Sequence, residues 1–588
     1  MNPHFSVARA TLPACARVAR KPLAVAPRRA LVALAVAAVW AAPAAAFTFD
    51  GAGFKGSLDS TVTLGSGVRA TDPSCSLVGD ASHCAGADVY GWGNGDNGNL
   101  NYRRGDFFTT YLKGNHELLL KLDGGTTLMA RGTWLHDFTA GDTRRSGLSK
   151  DSRHAVVNDA RLLDLWVSQT FNLGEERARV RVGNQVINWG ESLFIPGGIN
   201  ATNAMDIQRL STPGVQLKEV SLPAPMVSLA SGLGRGLNAE LYYQLGWNRS
   251  RFAPVGSYWS SSDNYNKGRV PIYVGLDPQT AGALGAEPGS AIGYAADRRA
   301  RNNGQYGASL RWQPESTQLN LGAYMLNYHD KTPNLAFVNG QSEAQWNFLE
   351  NRKLFGLSAN LPLGNWAVGS ELSYRPRDAV ALGGCYEPGA AGVTLAATGN
   401  CQQWIDRKRL QLHVTGLLSL NPADHGWLLD AVGANGGALS IEGVGIAVPG
   451  LKSQYTRTTA DGVTVTQLPA AGLWNYSADG GASTFGVGSK TSYGGIVDFN
   501  LTYDGTVLPG WQLTPGVTYF RAIKGRTPTF AATFMQGAQS ANFYLLFNQN
   551  PAIWQAGINY TAYWGGKYSF DQPLADRDFV GAFVSRNF

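Results

Sequence analysis

Residues 236–248 read GLNAELYYQLGWN. Leu237, Ala239, Leu241, Tyr243, Leu245 and Trp247 share one parity, and Asn238, Glu240, Tyr242 and Gln244 the other. A period of two with one apolar and one polar face is a strand whose two sides meet different media. The pattern recurs. In 364–375, Trp366, Val368, Leu372 and Tyr374 oppose Glu371, Ser373 and Arg375. In 490–504, Val497, Phe499, Leu501 and Tyr503 oppose Asp498, Asn500 and Thr502. In 553–565, Trp554, Ala556, Ile558, Tyr560, Ala562 and Trp564 oppose Gln555, Asn559 and Thr561. Aromatics close the apolar faces, as in Trp366 with Tyr374, Trp554 with Trp564 and Trp511 with Tyr519, which predicts two interfacial girdles.

The same reading gives about 18 strands, with 16 as the alternative. Approximate cores are 53–69, 105–122, 125–138, 160–172, 177–188, 224–234, 236–248, 304–314 and 317–329. They continue at 347–361, 364–375, 404–420, 437–447, 490–504, 511–522, 541–549, 553–565 and 577–588. Short turns alternate with long excursions, and the turn at 420–437 has room for a short helix (HGWLLDAV). The fold class expected is therefore all-β: a transmembrane antiparallel β-barrel with long extracellular or lumen loops. An even count places both termini in the periplasm. Phe588 ends the last strand, FVGAFVSRNF, and is the expected signal to the barrel-assembly machinery.

Composition agrees. Charged residues are 15%, aromatics 11%, and glycines number 72, against roughly 25% charged in soluble domains. No apolar run approaches the length of a spanning helix. Residues 1–46 read as a signal peptide: Arg9, Arg17, Arg20, Lys21, Arg28 and Arg29 precede an apolar run, Ala30–Trp40, and a small-residue site ending at Ala46. Taking those six from the 49 Lys and Arg leaves 43 against 42 Asp and Glu. The overall basicity thus belongs to the export signal and does not point to nucleic acid. The remainder, 47–588, is one barrel with inserted loops, placed in the outer membrane of a Gram-negative bacterium and in contact with its lipid. Four cysteines stay with it, and sequence proximity in an oxidising compartment favours Cys75–Cys84 and Cys385–Cys401 disulfides.

One excursion is too apolar for a solvated loop. Between Gly183 and Pro225 lie Trp189, Phe194, branched aliphatics and four prolines. Residues 188–223 are expected to fold into the lumen as a constriction or a plug, and 248–303 to line the lumen or rim. Candidate constriction groups are Trp189, Glu191, Phe194, Asn200, Asp206, Arg209 and Glu219, beside Asn188, Asn203, Gln208 and Lys218. Candidate lumen charges are Glu240, Glu371, Arg375, Arg409 and Asp498, which either tune selectivity or brace the lumen. Catalysis has no support: histidines are scattered, no Gly-x-Ser-x-Gly elbow occurs, and no cofactor or metal site is expected. GWGNGDNGNLNYRRGD has the composition of a calcium loop without its spacing.

Several segments resemble the DUF1302 family of proteobacterial outer-membrane proteins: SLDSTVTLGSGVR (57–69), GNLNYRRGDF (98–107), RVGNQVINWGESLFIPGGINATNAMD (181–206), TPGVQLKEVSLPAPM (212–226), GSYWSSSDNYNKG (256–268) and NGQYGASLRW (303–312). The resemblance spans essentially the whole mature chain. It implies traffic of hydrophobic or lipid-like compounds, with a DUF1329-like periplasmic protein and an inner-membrane exporter as partners. The expected function is an outer-membrane channel or transporter for such compounds. The alternatives are a general hydrophilic porin and a non-transporting surface or structural barrel. A TonB-dependent receptor is disfavoured, since about six residues precede the first strand.

Overall fold

The structure is a computed structural model. It describes residues 47–78, 83, 95–274, 278, 281–282, 285–340, 342–385, 400–458, 464–472, 486–550 and 552–588. The expected signal peptide and Cys84 lie outside the described residues.

Eighteen antiparallel strands close into one barrel. They are β1 (Phe54–Arg69), β2 (Phe107–Leu122), β3 (Thr126–Asp137), β4 (Asn158–Leu173), β5 (Glu176–Gln185) and β6 (Ala224–Gly234). Next come β7 (Leu237–Gln244), β8 (Gln305–Trp312), β9 (Asn320–Tyr328), β10 (Arg352–Leu363), β11 (Trp366–Ala381) and β12 (Trp404–Leu420). The last are β13 (Gly436–Ala447), β14 (Thr491–Asp504), β15 (Trp511–Lys524), β16 (Ala538–Gln549), β17 (Trp554–Gly565) and β18 (Phe579–Asn587). Each expected strand is present, which settles the count at 18 rather than 16. Each pairs with its sequence neighbours, and β18 closes on β1 from Asn587↔Thr61 to Phe579↔Arg69. Below that seam a short strand, Phe47–Gly51, folds back on Leu58–Phe54 and covers the rest of the β1 edge. Among the described residues β1 thus has partners on both sides, as lipid requires, where unpaired amides would cost several kcal/mol each.

Parity holds around the ring. Leu241, Leu310, Leu357, Leu372, Val414 and Ile558 are exposed on the outside. Ser309, Ser358, Glu371, Gln411 and His413 are buried inside. A closed barrel with such an exterior is the lipid-facing surface of an outer-membrane protein. Among the described residues no helix is long and apolar enough to cross a membrane. At the short-turn rim Phe54 lies opposite Leu122, and Phe588 exchanges backbone hydrogen bonds with Ser60. The expected helix is Pro422–Val432, in the turn between β12 and β13.

At the long-loop rim β11 runs six residues past expectation, to Ala381, and three strands stop three or more residues short of it, each because a loop outcompetes the wall. β5 stops at Gln185 rather than 188, and Ile187 and Trp189 join a cluster inside the lumen with Tyr242, Tyr324 and Leu354. β7 stops at Gln244, so Trp247 leaves the lipid face and packs edge-on against Phe348 at 4.8 Å. β10 begins at Arg352, because Glu343–Asn347 pairs with Asn334–Val338 in a small sheet outside the barrel. That sheet also takes Ile272–Val274, Ser290–Tyr294 and Cys401–Gln402, over a core containing Tyr265, Phe337, Trp346 and Phe530. A disulfide joins Cys385 to Cys401.

Candidate functional site: a segment crossing the lumen

Residues 186–223 leave the top of β5 and cross the barrel. At one end the chain touches β11, β12 and β13. At the other, Pro213 packs on Gly581 and Gly214 on Phe583, both on β18. There Tyr111 on β2 donates to the Pro213 carbonyl, and Lys113 Nζ donates to that of Gly214 at 3.2 Å. In an 18-strand ring β2 and β11 are nine strands apart, so the segment joins opposite walls.

The first anchor is made of backbone amides on wall carboxylates. Glu442 on β13 accepts from the N–H of Phe194 at 2.6 Å, of Ile195 at 2.8 Å and of Leu193 at 3.4 Å. Glu371 on β11 accepts from the N–H of Glu191 at 2.6 Å and of Ile199 at 3.0 Å. Both carboxylates are 1% exposed. Each uses both oxygens as acceptors, the role of the ionised form, and hydrogen bonds to a charged group contribute about 1.5–3 kcal/mol each. A relay orients Glu442. Arg409 Nη2 donates to Gln411 Oε1 at 3.0 Å, which turns the amide nitrogen toward His413 Nε2 at 2.8 Å. His413 Nε2 is therefore the acceptor, and Nδ1–H donates to Glu442 at 2.8 Å.

Sequence explains why the segment approaches so closely. Gly198 has φ +58°, and a Cβ there would lie 1.7 Å from Glu371 Oε1. Only glycine combines that backbone with that contact. Asn200 closes the turn from within, accepting from Trp189 N at 3.1 Å and donating to Asn188 Oδ1 at 2.8 Å. Trp189 is buried and donates from Nε1 to Glu240 Oε2 at 2.7 Å. Glu191 accepts from Asn360 Nδ2 at 2.9 Å. Ile195 packs with Val444, Ile446 and Phe534, an apolar patch on an otherwise polar lumen face.

The second half is an ion-pair block. Asp206 caps the turn Ile207–Leu210 and pairs with Arg161. Arg209 reaches Asp159 at 2.8 Å and Glu219 at 3.8 Å, and Glu219 meets Lys113 at 2.8 Å. Asp206, Arg209 and Glu219 are buried in this block. They fasten the segment to β2–β4.

Above the crossing segment, toward the long loops, lies a cavity of about 590 Å³. Phe194, Phe252, Phe520, Phe530 and Met535 make one side apolar, and Asp330, Lys331, Arg375, Asp378 and Arg409 make another charged. Arg409 pairs with Asp378 at 3.1 Å, and Arg375 donates to the Gly198 carbonyl at 3.3 Å. Burial pushes the Asp330 carboxyl up to about 7, against the pull of Arg352. Burial also lowers the Lys331 ammonium to about 7.

The structure thus gathers Trp189, Glu191, Phe194, Asn200, Glu240, Glu371, Arg375 and Arg409 around one half of the segment, and Asp206, Arg209 and Glu219 around the other. Asp498 stands apart and accepts from Thr518 at 2.6 Å and Tyr544 at 3.1 Å on the wall. Sequence reasoning passed over Glu442, Gln411 and His413. The signal for Glu442 is a lone acid in the alternating run ALSIEGVGIA.

The sequence matches the family described as "Protein of unknown function (DUF1302)" over residues 28–588. The chain belongs to the DUF1302 family. No curated protein matches it. Among solved structures, OccAB1 of Acinetobacter baumannii is similar at 11% identity and a TM-score of 0.41, covering 91% of this chain and 96% of that one. OccK1 (OpdK) of Pseudomonas aeruginosa follows at 10% and 0.40, covering 91% and 98%. OpdK with vanillate gives 10% and 0.39, covering 90% and 98%. At such values the substrate of this DUF1302 protein has to be argued from its own residues.

Proposed function

We propose that this protein is an outer-membrane channel for hydrophobic or amphipathic compounds, with residues 186–223 as its gate. The observation that carries this reading is the form of the first anchor. A permanent plug would fill its barrel with side-chain packing. Here the tip hangs chiefly on backbone amides held by Glu371 and Glu442, beside the packing of Ile195 and Trp189, and such bonds can exchange for water while the wall's own ladder stays intact. The half-apolar cavity against Phe194 supports a solute that is itself part apolar. Under this reading the short-turn rim, with both termini, faces the periplasm. A DUF1329-like periplasmic protein and an inner-membrane exporter are the proposed partners there. A general hydrophilic porin fits less well, because the segment spans the lumen from wall to wall.

The test uses whole cells, where lipopolysaccharide blocks apolar dyes. Cells making the wild-type protein take up N-phenyl-1-naphthylamine faster than vector controls. Deletion of 195–210 raises single-channel conductance and removes the preference for apolar over polar dyes of equal size. Uptake equal to vector for both proteins, with unchanged conductance, would defeat the proposal.

A further inference from the structure

On the other side of the crossing segment, toward the short turns, a second pocket of about 430 Å³ opens against β4–β8. Its chemistry differs from that of the cavity above. Arg177, Arg179 and Arg311 face it, with Thr170, Ser309 and Glu240. The ladder explains the grouping. Arg179 lies opposite Thr170 on β4, Glu240 opposite Ser309, and Asn238 opposite Arg311. All sit on the inward parity, since Val182, Leu229, Leu241 and Leu310 on the alternate positions are exposed to lipid.

The charges do not balance. Arg311 Nη2 donates to the carbonyl of Trp189, in the gate, at 3.1 Å. Glu240 is the single acid on the lining, and its Oε2 accepts from Trp189 Nε1. Among the described residues the guanidinium groups of Arg177 and Arg179 make no hydrogen bond or ion pair, unlike Arg131 and Arg161 on neighbouring strands, which pair with Asp164 and Asp206. Arg181, two residues along β5, lies over the Trp166 ring at 4.2 Å and adds cationic charge behind them. Like charges held side by side on a rigid strand repel, and a concave wall with excess cations concentrates anions.

We infer that this pocket is an anion subsite on the path below the gate, taking the carboxylate or phosphate head group of an amphipathic solute. The inference rests on the channel reading and sharpens it: the compound carried is an anion, apolar enough for the upper cavity and charged enough for the lower one. Glu240 and Arg311 tie the subsite to the gate through Trp189.

The test is equilibrium binding of radiolabelled octanoate to the full chain in nanodiscs, with empty nanodiscs as background and octyl phosphate and octylamine as competitors. Wild-type protein binds octanoate, and octylamine does not displace it. Displacement by octyl phosphate adds phosphate to the ligand class, and its failure restricts the site to carboxylates. The double variant R177Q/R179Q weakens binding about two- to thirtyfold, from two solvent-facing charge contacts, while R177K/R179K keeps most of it. Both side chains face water, and heat-modifiable electrophoretic mobility reports that the barrel has formed. Equal displacement by octylamine, or unchanged binding in the glutamine variant, would overturn the inference. Binding lost in that variant, with no solute flux through wild-type protein, would keep the subsite and sink the channel. Flux without anion preference would do the reverse.

Discussion

Replacing Glu442 with alanine removes the acceptor that holds the tip of the crossing segment. Two strong bonds, from the amides of Phe194 and Ile195 at 2.6 and 2.8 Å, disappear, with a weaker one from Leu193. At about 1.5–3 kcal/mol for each bond to a charged group, the two strong ones amount to about 3–6 kcal/mol. His413 Nδ1–H loses its partner in the same step. Several restraints survive in the variant, among them the Glu371 bonds to Glu191 and Ile199, the packing of Trp189 and Ile199 in the lumen cluster, and the packing of Ile195 on Val444 and Ile446, which contributes about 2 kcal/mol. The latched state then falls relative to the released one by a factor of about 10² to 10⁴. The assay is planar-bilayer recording of the full chain. E442A shows long open periods where wild-type protein is mostly closed. E442Q lies between, because its amide oxygen still accepts but carries no charge. Folding is checked by heat-modifiable mobility, since the lost bonds are not in the wall. Wild-type conductance and closed times in E442A, with unchanged protease protection of residues 193–199, would refute the latch.

Three other outcomes follow from the same geometry. Gly198→Ala forces a Cβ onto Glu371 Oε1 at a φ that alanine resists, so the channel leaks in bilayer recordings while the barrel keeps its mobility shift. Reducing the Cys385–Cys401 disulfide frees a strand paired with Ala336 and Phe337. Amide exchange of those two residues speeds up, consistent with about 3 kcal/mol of lost loop restraint, while exchange in β14–β17 stays slow. Asp330 and Lys331 both titrate near 7, among Arg352, Arg375, Asp378 and Asp406. Below pH 7 the aspartate is protonated and the lysine charged. Above it the aspartate is charged and the lysine neutral. The upper cavity therefore loses two units of positive charge between about pH 6 and 8, and anion preference in reversal-potential measurements falls over that window. Lys331→Met halves the change.

Legibility was uneven, for a reason visible in particular residues. Strand β12 follows from 404–420 alone, because alternation is a local property repeated at every rung. The same holds for Glu371, Arg375 and Arg409 as inward groups: parity decides them without a partner. Trp247 marks the limit. Its parity says lipid, but the chain turns inward after Gln244 and the ring packs on Phe348, a contact about a hundred residues away in sequence. Glu442 was passed over for a related reason. Nothing near it in the chain says that an acid on β13 meets three amides from a loop after β5.

Spacings of one or two residues fix the medium and, for residues inside a strand, the side of the wall, so both were readable along the chain. The sequence also marked 188–223 as too apolar to lie in water. What that segment touches depends on the closed ring. Closing the ring brings β11–β13 opposite β1–β2 and β18, and the distance across the lumen selects which wall groups Gly197 and Gly198 reach, Gln411 and Glu371. That distance depends on all eighteen strands at once, so no single stretch of the chain encodes it.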